Sequence, residues 1–130
     1  MNGKNLTVLA LVLVLAGAIG CSSKPSGAEQ SLRDFYGDLN HGEFAEAMAR
    51  YEDDVREYIE DPDQTGMSFA DWAKGETKNG TIHEIRVLTE TAHDGTAELE
   101  FELEYADGTS SRRKVSLTEV GGEWKLGAIG

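Results

Sequence analysis

Apolar residues recur with a helical period soon after the first 27 residues. Between residues 28 and 40 they stand three and four positions apart, at Leu32, Phe35, Tyr36 and Leu39. This spacing puts them on one face and predicts an amphipathic helix over residues 28–40. We expect it to end at His41–Gly42, because glycine takes a positive φ at low cost.

The helical period continues into a second segment that begins near Glu43. Its apolar stripe is formed by Phe44, Ala47, Met48, Tyr51 and Val55. We expect a break around Asp53–Asp54, then a last turn with Tyr58 and Ile59, and an end at Pro62.

A third, shorter helix is predicted after this proline. Ser68 is followed three positions later by Asp71, which resembles a capping box and indicates a helix start. The helix carries Trp72, and Asn79–Gly80 is expected to close it.

After Thr81 the apolar period changes to two, which is typical of strands buried on one face. The clearest strand alternates apolar residues with Glu98, Glu100, Glu102 and Glu104; its apolar positions are Ala97, Leu99, Phe101, Leu103 and Tyr105. Two further strands place Val115 and Leu117, and then Trp124, Leu126 and Ala128, on the buried face. A less regular strand at residues 81–91 carries Ile85 and Val87 on one face and Leu88 on the other.

The turns determine how these strands pair. A three-residue loop, Ala106–Asp107–Gly108, with Gly108 in a left-handed bulge, sets Leu99 opposite Val115 and keeps the buried residues on one face. The same register pairs Glu102 with Arg112 and Glu100 with Lys114.

Two further turns complete the sheet. The same loop type at His93–Asp94–Gly95 sets Val87 opposite Phe101 and Ile85 opposite Leu103, while Gly121–Gly122 forms a two-residue turn. The prediction is an α+β fold in which N-terminal helices pack on a curved four-stranded antiparallel meander.

The first twenty residues differ from this domain. Residues 6–20 are almost entirely apolar after a start that carries Lys4, and at about 1.5 Å per residue they fall short of the ~30 Å hydrocarbon core. They are typical of a secretory signal peptide over residues 1–20, and an uncleaved N-terminal anchor is the alternative. Residues 21–27 predict a flexible tether and residues 28–130 a single domain.

The end of the apolar stretch, Ala18–Ile19–Gly20–Cys21, resembles the lipobox of bacterial lipoproteins. The resemblance implies cleavage before Cys21, lipid attachment to its sulfur and a membrane-anchored, extracytoplasmic protein. Ser22 then resembles the outer-membrane sorting pattern, for an organism with two membranes.

Composition narrows the possible partners. The formal charge of −12 argues against nucleic acid as a partner, since such binding needs a basic surface. The single cysteine excludes an intramolecular disulfide. No histidine stands at metal-ligand spacing, and the row of glutamates is expected to be a solvated face relieved by Arg86, Arg112 and Lys114. No cofactor or metal is therefore expected.

Aromatic and turn positions resemble a known family. They are Phe35–Tyr36, Leu39–Asn40, Gly42, Phe44, Ala47, Trp72, Ile82, Tyr105, Asp107–Gly108 and Trp124–Lys125–Leu126. The pattern is similar to small NTF2-like (cystatin-like) lipoprotein domains of the DUF4878 type, whose function is unassigned. This resemblance implies a cone-shaped half-barrel that relatives use for catalysis, binding or dimerisation.

The candidate pocket residues are the polar and aromatic side chains expected near the cone: Tyr36, Trp72, His83, Tyr105 and Trp124. His83 is expected opposite Tyr105, at the mouth. The core-facing strand positions carry no carboxylate, and a general base must reach its substrate. We therefore expect a carboxylate-free aromatic cavity, although a filled core would give the same alternation.

Two functions follow from these observations. The favoured one is a non-catalytic binding or interaction module on the cell envelope, whose partner is a small apolar ligand or an envelope protein. The alternative is an enzyme that acts on a small apolar substrate in the cone.

Overall fold

The computed structural model describes residues 24–78 and 80–130, in which helices precede strands. The helices are α1 Gly27–Asn40, α2 Phe44–Ala49, α3 Asp53–Glu60, α4 Pro62–Thr65 and α5 Phe69–Glu76. The strands are β1 Ile82–His93, β2 Thr96–Tyr105, β3 Ser110–Val120 and β4 Glu123–Ile129. The predicted signal peptide, Cys21 and Asn79 lie outside the described residues.

Helix α1 packs its apolar face onto the sheet, as its spacing predicts. The hydroxyl of Ser26 caps the helix by accepting a hydrogen bond from the Glu29 amide at 3.1 Å. The helix ends at Asn40 with His41 as its C-cap, and Gly42 has a φ of 71°, in the left-handed region. The predicted stripe of Leu32, Phe35, Tyr36 and Leu39 is buried.

The second predicted helix breaks earlier than Asp53–Asp54. Helix α2 ends at Ala49, and Tyr51 forms a parallel bridge with Leu126 of β4. The Glu52 amide donates to the Leu126 carbonyl, and the Leu126 amide donates to the Arg50 carbonyl, both at 2.8 Å. The extended backbone therefore satisfies polar groups on the open edge of β4, which a continuous helix could not do.

Pro62 was expected to end the second helical segment, but it also begins the next one. It is the first helical residue of α4, where its missing amide costs no hydrogen bond. The Asp61 side chain caps α4 by accepting from the Asp63 amide at 3.0 Å. The capping of α5 agrees with the prediction, since the Ser68 hydroxyl accepts from the Asp71 amide at 3.2 Å. Helix α5 ends at Glu76, before Asn79–Gly80.

The sheet is an antiparallel meander in the order β1-β2-β3-β4, which confirms the predicted α+β architecture. Its inner face carries the predicted apolar positions of β2, all buried. Leu99 pairs with Val115 and Leu117 pairs with Leu126, as expected from the two glycine turns. In the loop between β2 and β3, Gly108 has a φ of 89° and its amide donates to the Tyr105 carbonyl.

The hairpin between β1 and β2 differs from the expected three-residue loop. His93 pairs with Thr96 across a two-residue Asp94–Gly95 turn, in which both residues have positive φ. A register shift between Val87 and Thr89 then restores the predicted pairs of Val87 with Phe101 and Ile85 with Leu103. The turn and the bulge each change the register by one residue, and the two changes cancel.

A second irregularity in β1 overturns the predicted position of His83. The register shifts again between Ile82 and Glu84, so Ile82 lies opposite Tyr105 and is buried. His83 is the extra residue of this bulge and is exposed. It therefore does not lie at the mouth of a cavity.

Strand β4 contains a comparable shift near its end. Val115 pairs with Ile129, although the preceding register would have paired it with Ala128. Ile129 packs against the core and Ala128 is exposed, the reverse of the prediction. Gly127 lies at the shift, where an added Cβ would be 3.0 Å from the Ser116 carbonyl oxygen. This close approach favours glycine.

We predict that Gly108→Val destabilises the protein by more than about 1 kcal/mol, because a β-branched residue is strained at positive φ. Gly37→Ala is the control, since Gly37 lies inside α1 and, apart from its chain neighbours and the helix backbone, nothing lies within 4 Å of an added Cβ. It should be neutral or stabilising by up to about 1 kcal/mol. Urea unfolding measures both, and an unchanged midpoint for Gly108→Val would contradict the loop geometry.

Candidate binding groove between the helices and strand β4

An apolar groove lies where α3, α5 and the loop between α4 and α5 meet the end of β4. Its volume is about 230 Å³. Helix α3 contributes Val55, Tyr58 and Ile59, whose spacing places them on one helix face. The groove is lined by Tyr51, Val55, Tyr58, Ile59, Thr65, Met67, Ser68, Phe69, Trp72, Ala128 and Ile129.

Aromatic rings form one wall of this groove. Phe69 stacks on Trp72 with ring centroids 5.4 Å apart, and Tyr51 meets Phe69 edge to face at 6.0 Å. Phe35 of α1 lies behind them, 5.2 Å from the Tyr51 ring. Such contacts stabilise ring orientations, so this wall is supported by the core.

The rim of the groove leaves large apolar side chains in solvent. Tyr58 is 52% exposed and Met67 is 49% exposed. Among the described residues, no Asp, Glu, His, Lys or Arg lines the groove. An apolar depression with a few hydroxyl groups is the usual form of a site that binds apolar groups.

The structure does not bring the five predicted pocket residues together. Trp72 lines the groove, whereas His83 is exposed in the β1 bulge. Tyr36 is completely buried between α1 and the sheet, 5.9 Å from the Phe101 ring. Tyr105 is buried at the C-terminal end of β2, with its hydroxyl 3.3 Å from the Ser111 hydroxyl.

Trp124 lies in a separate hollow of about 340 Å³ at the start of α1. Its ring covers Gly27, where an added Cβ would be 2.7 Å from the indole Nε1. Arg50 and Lys125 also line this hollow. Trp124 is therefore not a wall of the apolar groove.

A partly buried polar cluster lies beside the core, and the predicted pocket residues do not include its two charged members. Glu76, at the end of α5, receives a hydrogen bond on Oε1 from Arg113 Nη2 at 2.8 Å. The Glu76 side chain is 10% exposed and its Oε2 has no hydrogen-bond partner; the same is true of the buried Tyr36 hydroxyl. The inward positions of β2 carry no carboxylate, and this one is contributed by helix α5 instead.

Two signals in the sequence point to this cluster. Glu76 continues the inward spacing of Phe69, Trp72 and Ala73 by one more turn of α5. Arg113 pairs with Phe101 and so shares the inner face of the sheet. An arginine at an inward position needs a partner, and Glu76 is within reach.

Burial changes the ionisation of two tyrosines near this carboxylate. Desolvation raises the pKa of Tyr36 well above its ordinary value of 10, and the negative charge of Glu76 raises it further. The same two causes, in the same order, raise the pKa of Tyr51. Both phenols therefore stay protonated above pH 10, where an exposed tyrosine ionises.

The outer face of the sheet carries the row of glutamates. Arg86 contacts Glu84 at 3.3 Å and also contacts Glu102, and Arg112 lies 3.9 Å from Glu100. Within residues 24–78 and 80–130, no three His, Cys, Asp or Glu side chains are arranged to hold a metal ion. No helix among these residues is long and apolar enough to span a membrane.

Two solved structures have folds similar to that of this chain. The crystal structure of a "Putative NTF2-like transpeptidase" from Campylobacter jejuni superposes with a TM-score of 0.60, at 16% identity over 78% of this chain and 97% of that one. The solution structure of a SEC-C motif containing protein from Rhodopseudomonas palustris gives 0.63, at 13% identity over 88% and 86%. These likenesses show an NTF2-like fold.

The family is shown by sequence. The model for the domain of unknown function DUF4878 matches residues 19–127, and the chain belongs to this family. The resemblance inferred from its aromatic and glycine positions is thus confirmed for the domain. No curated protein sequence is significantly similar to the chain.

The raised tyrosine pKa values predict a loss of stability at high pH. In the unfolded chain tyrosine ionises near pH 10, whereas Tyr36 and Tyr51 stay protonated in the fold. The folded state then binds more protons, so stability is full below pH 10 and falls above it, by up to about 1.4 kcal/mol per pH unit for each tyrosine. Urea unfolding between pH 9 and about 11.5 measures this slope, and Tyr36→Phe should make it shallower. An equal slope in the variant would contradict the burial of this phenol.

Proposed function

We propose that the chain is a cell-envelope lipoprotein, anchored through Cys21, whose NTF2-like domain is a non-catalytic binding module. The apolar groove takes a small apolar ligand or an apolar side chain of an envelope protein. The observation that carries this proposal is the groove itself, with an aromatic wall and exposed Tyr58 and Met67.

The chemistry of the groove supports binding without catalysis. Its Thr65 hydroxyl donates to the Met67 carbonyl at 2.6 Å and its Ser68 hydroxyl accepts from the Asp71 amide, so both hydroxyls serve the local turns. An activated nucleophile needs an adjacent base, and among the described residues no histidine or carboxylate lines the groove. This also argues against the transpeptidase activity that is named for the structural neighbour from Campylobacter jejuni.

Anchoring is supported by the sequence around Cys21. The apolar residues 6–20 and the small residues before the cysteine are typical of a lipoprotein signal. Helix α1 begins at Gly27, six residues later, so an acylated Cys21 would hold the domain within about 20 Å of the membrane. The proposed location is the extracytoplasmic face of the cell membrane, or the outer membrane in an organism that has two.

The enzyme alternative is favoured by one observation, the buried carboxylate of Glu76 near Tyr36. It remains the second candidate because Arg113 binds this carboxylate and Glu76 lines none of the four described cavities. Turnover of an enolisable apolar substrate, abolished by Glu76→Gln in a folded variant, would support the enzyme.

The anchor is tested by Cys21→Ser in living cells. We expect the variant to remain unprocessed by the lipoprotein peptidase and unlabelled by a fatty-acid probe, because the acylated sulfur is absent. Ser23→Ala, two residues on, is the matched control and should label normally. A Cys21→Ser protein that is still acylated and membrane-bound after high-salt washing would contradict the proposal.

The groove is tested with the chain from Ser22 onward, which contains every described element. Neutral N-phenyl-1-naphthylamine is titrated into the Trp124→Phe variant, so that Trp72 is the single tryptophan donor for energy transfer. Saturable transfer is expected. Met67→Glu should weaken it about fivefold or more, because a charge at the rim opposes an apolar ligand.

Leu88→Glu is the matched control for this experiment. Leu88 is 41% exposed, close to the 49% of Met67, but it lies in β1 and does not line the groove. Its substitution should leave probe binding unchanged. Absence of binding at any concentration, or equal weakening by the two substitutions, would rule out the groove as the binding site.

A further inference from the structure

We propose that the apolar groove receives a cationic amphipathic peptide segment of a partner protein. This inference rests on the proposed binding function and names the chemical class of the partner. It is carried by the coincidence of two features in the same stretch of chain, an apolar depression and a dense negative charge.

The charge is concentrated in the residues that build the groove. Residues 51–72 supply nine of its eleven lining residues. Between residues 52 and 71 there are eight carboxylates, one arginine and no lysine, a formal charge of −7 out of −12 for the whole chain. More than half of the net charge therefore lies in less than a sixth of the sequence.

The one arginine between residues 52 and 71 is paired with carboxylates of its own helix. Arg56 lies 3.1 Å from Asp53 and 3.8 Å from Glu60, both on its own helix. This pairing leaves carboxylates of the segment in solvent, since Glu57, Asp63 and Asp71 are all exposed. The segment therefore keeps a strong net negative charge, although Lys125 of β4 lies beside Glu52, Asp53 and Asp54 in a separate hollow.

Several carboxylates are next in sequence to apolar residues that line the groove. Glu57 immediately precedes Tyr58, Glu60 immediately follows Ile59, and Asp71 immediately precedes Trp72. On a helix, neighbours in sequence point about 100° apart, so Glu57, Glu60 and Asp71 act on a ligand in the groove through their electric field and not by contact. Positive charge on such a ligand is attracted, and anionic headgroups of lipids or acidic peptides are repelled.

The size of the groove favours a peptide over a larger small molecule. Its volume of about 230 Å³ is below the ~300–1,000 Å³ of ordinary ligand pockets, so it suits one or two side chains. Met67 and Tyr58 extend the apolar surface outside the depression, and methionine adapts to varied apolar partners. The structure therefore fits a segment with apolar anchors three or four positions apart, flanked by Lys or Arg.

The test uses the mature lipidated protein in phosphatidylcholine vesicles, with empty vesicles as the blank. The protein carries Trp124→Phe, so that Trp72 reports binding. The probe is an eight-residue peptide with two phenylalanines four positions apart among lysines, and its match has glutamate in place of every lysine. We expect the lysine peptide to bind saturably, the glutamate peptide not to bind, and added salt to weaken the complex.

Charge variants separate the effect of the carboxylates in residues 52–71 from that of the overall charge. Glu57→Gln/Asp63→Asn/Asp71→Asn should weaken the lysine peptide about fivefold or more. Glu98→Gln/Glu100→Gln/Glu104→Gln removes the same three charges from the outer face of β2 and should change binding less than about twofold. Equal effects of the two sets, or no saturable binding of the lysine peptide, would overturn the proposal.

Neutral N-phenyl-1-naphthylamine in the same variants distinguishes this proposal from the binding function on which it rests. Retained probe binding without peptide binding would assign the groove to a small apolar ligand and refute the peptide. If neither the neutral probe nor the lysine peptide binds the protein that carries only Trp124→Phe, the binding function is refuted as well. Retained probe binding in the Glu57→Gln/Asp63→Asn/Asp71→Asn variant, together with weaker peptide binding, is the expected result.

Discussion

The contact on which the rest of the structure depends is the packing of α1 across the inner face of the sheet. Leu32, Phe35 and Tyr36 are completely buried, and the Tyr36 ring lies 5.9 Å from Phe101 at the centre of β2. Burial of a large apolar side chain stabilises by about 1.5–3 kcal/mol, so this face dominates the core. Because α1 and the sheet fill the space between them, the apolar groove forms beside this core, where the short helices α3 and α5 cover the end of β4.

Much of the fold follows from local sequence. The alternation in β2 and the position of Gly108 predict the pairing of Leu99 with Val115, because the loop type and the buried face demand the same register. His83 and Ala128 could not be placed in this way. Each position depends on an extra residue in one strand, and at Gly127 the shift accompanies a close approach to the Ser116 carbonyl that alternation does not encode.

The site was less predictable than the fold because it is made by tertiary contacts. Trp72 was identified as a pocket residue, but its neighbours Tyr51 and Ile129 come together only after the chain between α2 and α3 extends to bridge β4. Glu76 and Arg113 were overlooked for a related reason, since each is an ordinary surface residue type. Only the inward faces of α5 and β3 make them a pair, and that pair fixes the end of α5 against the sheet.

The two edges of the sheet are protected by different means. The Tyr51 bridge covers part of the free edge of β4, whereas β1 is a twelve-residue edge strand interrupted by bulges at His83 and Leu88. Bulges twist an edge and break the regular row of amides and carbonyls that a neighbouring strand would need. The irregularities that turn His83 outward therefore also make β1 a poor template for strand addition, so crowded copies of the protein are protected from edge-to-edge aggregation.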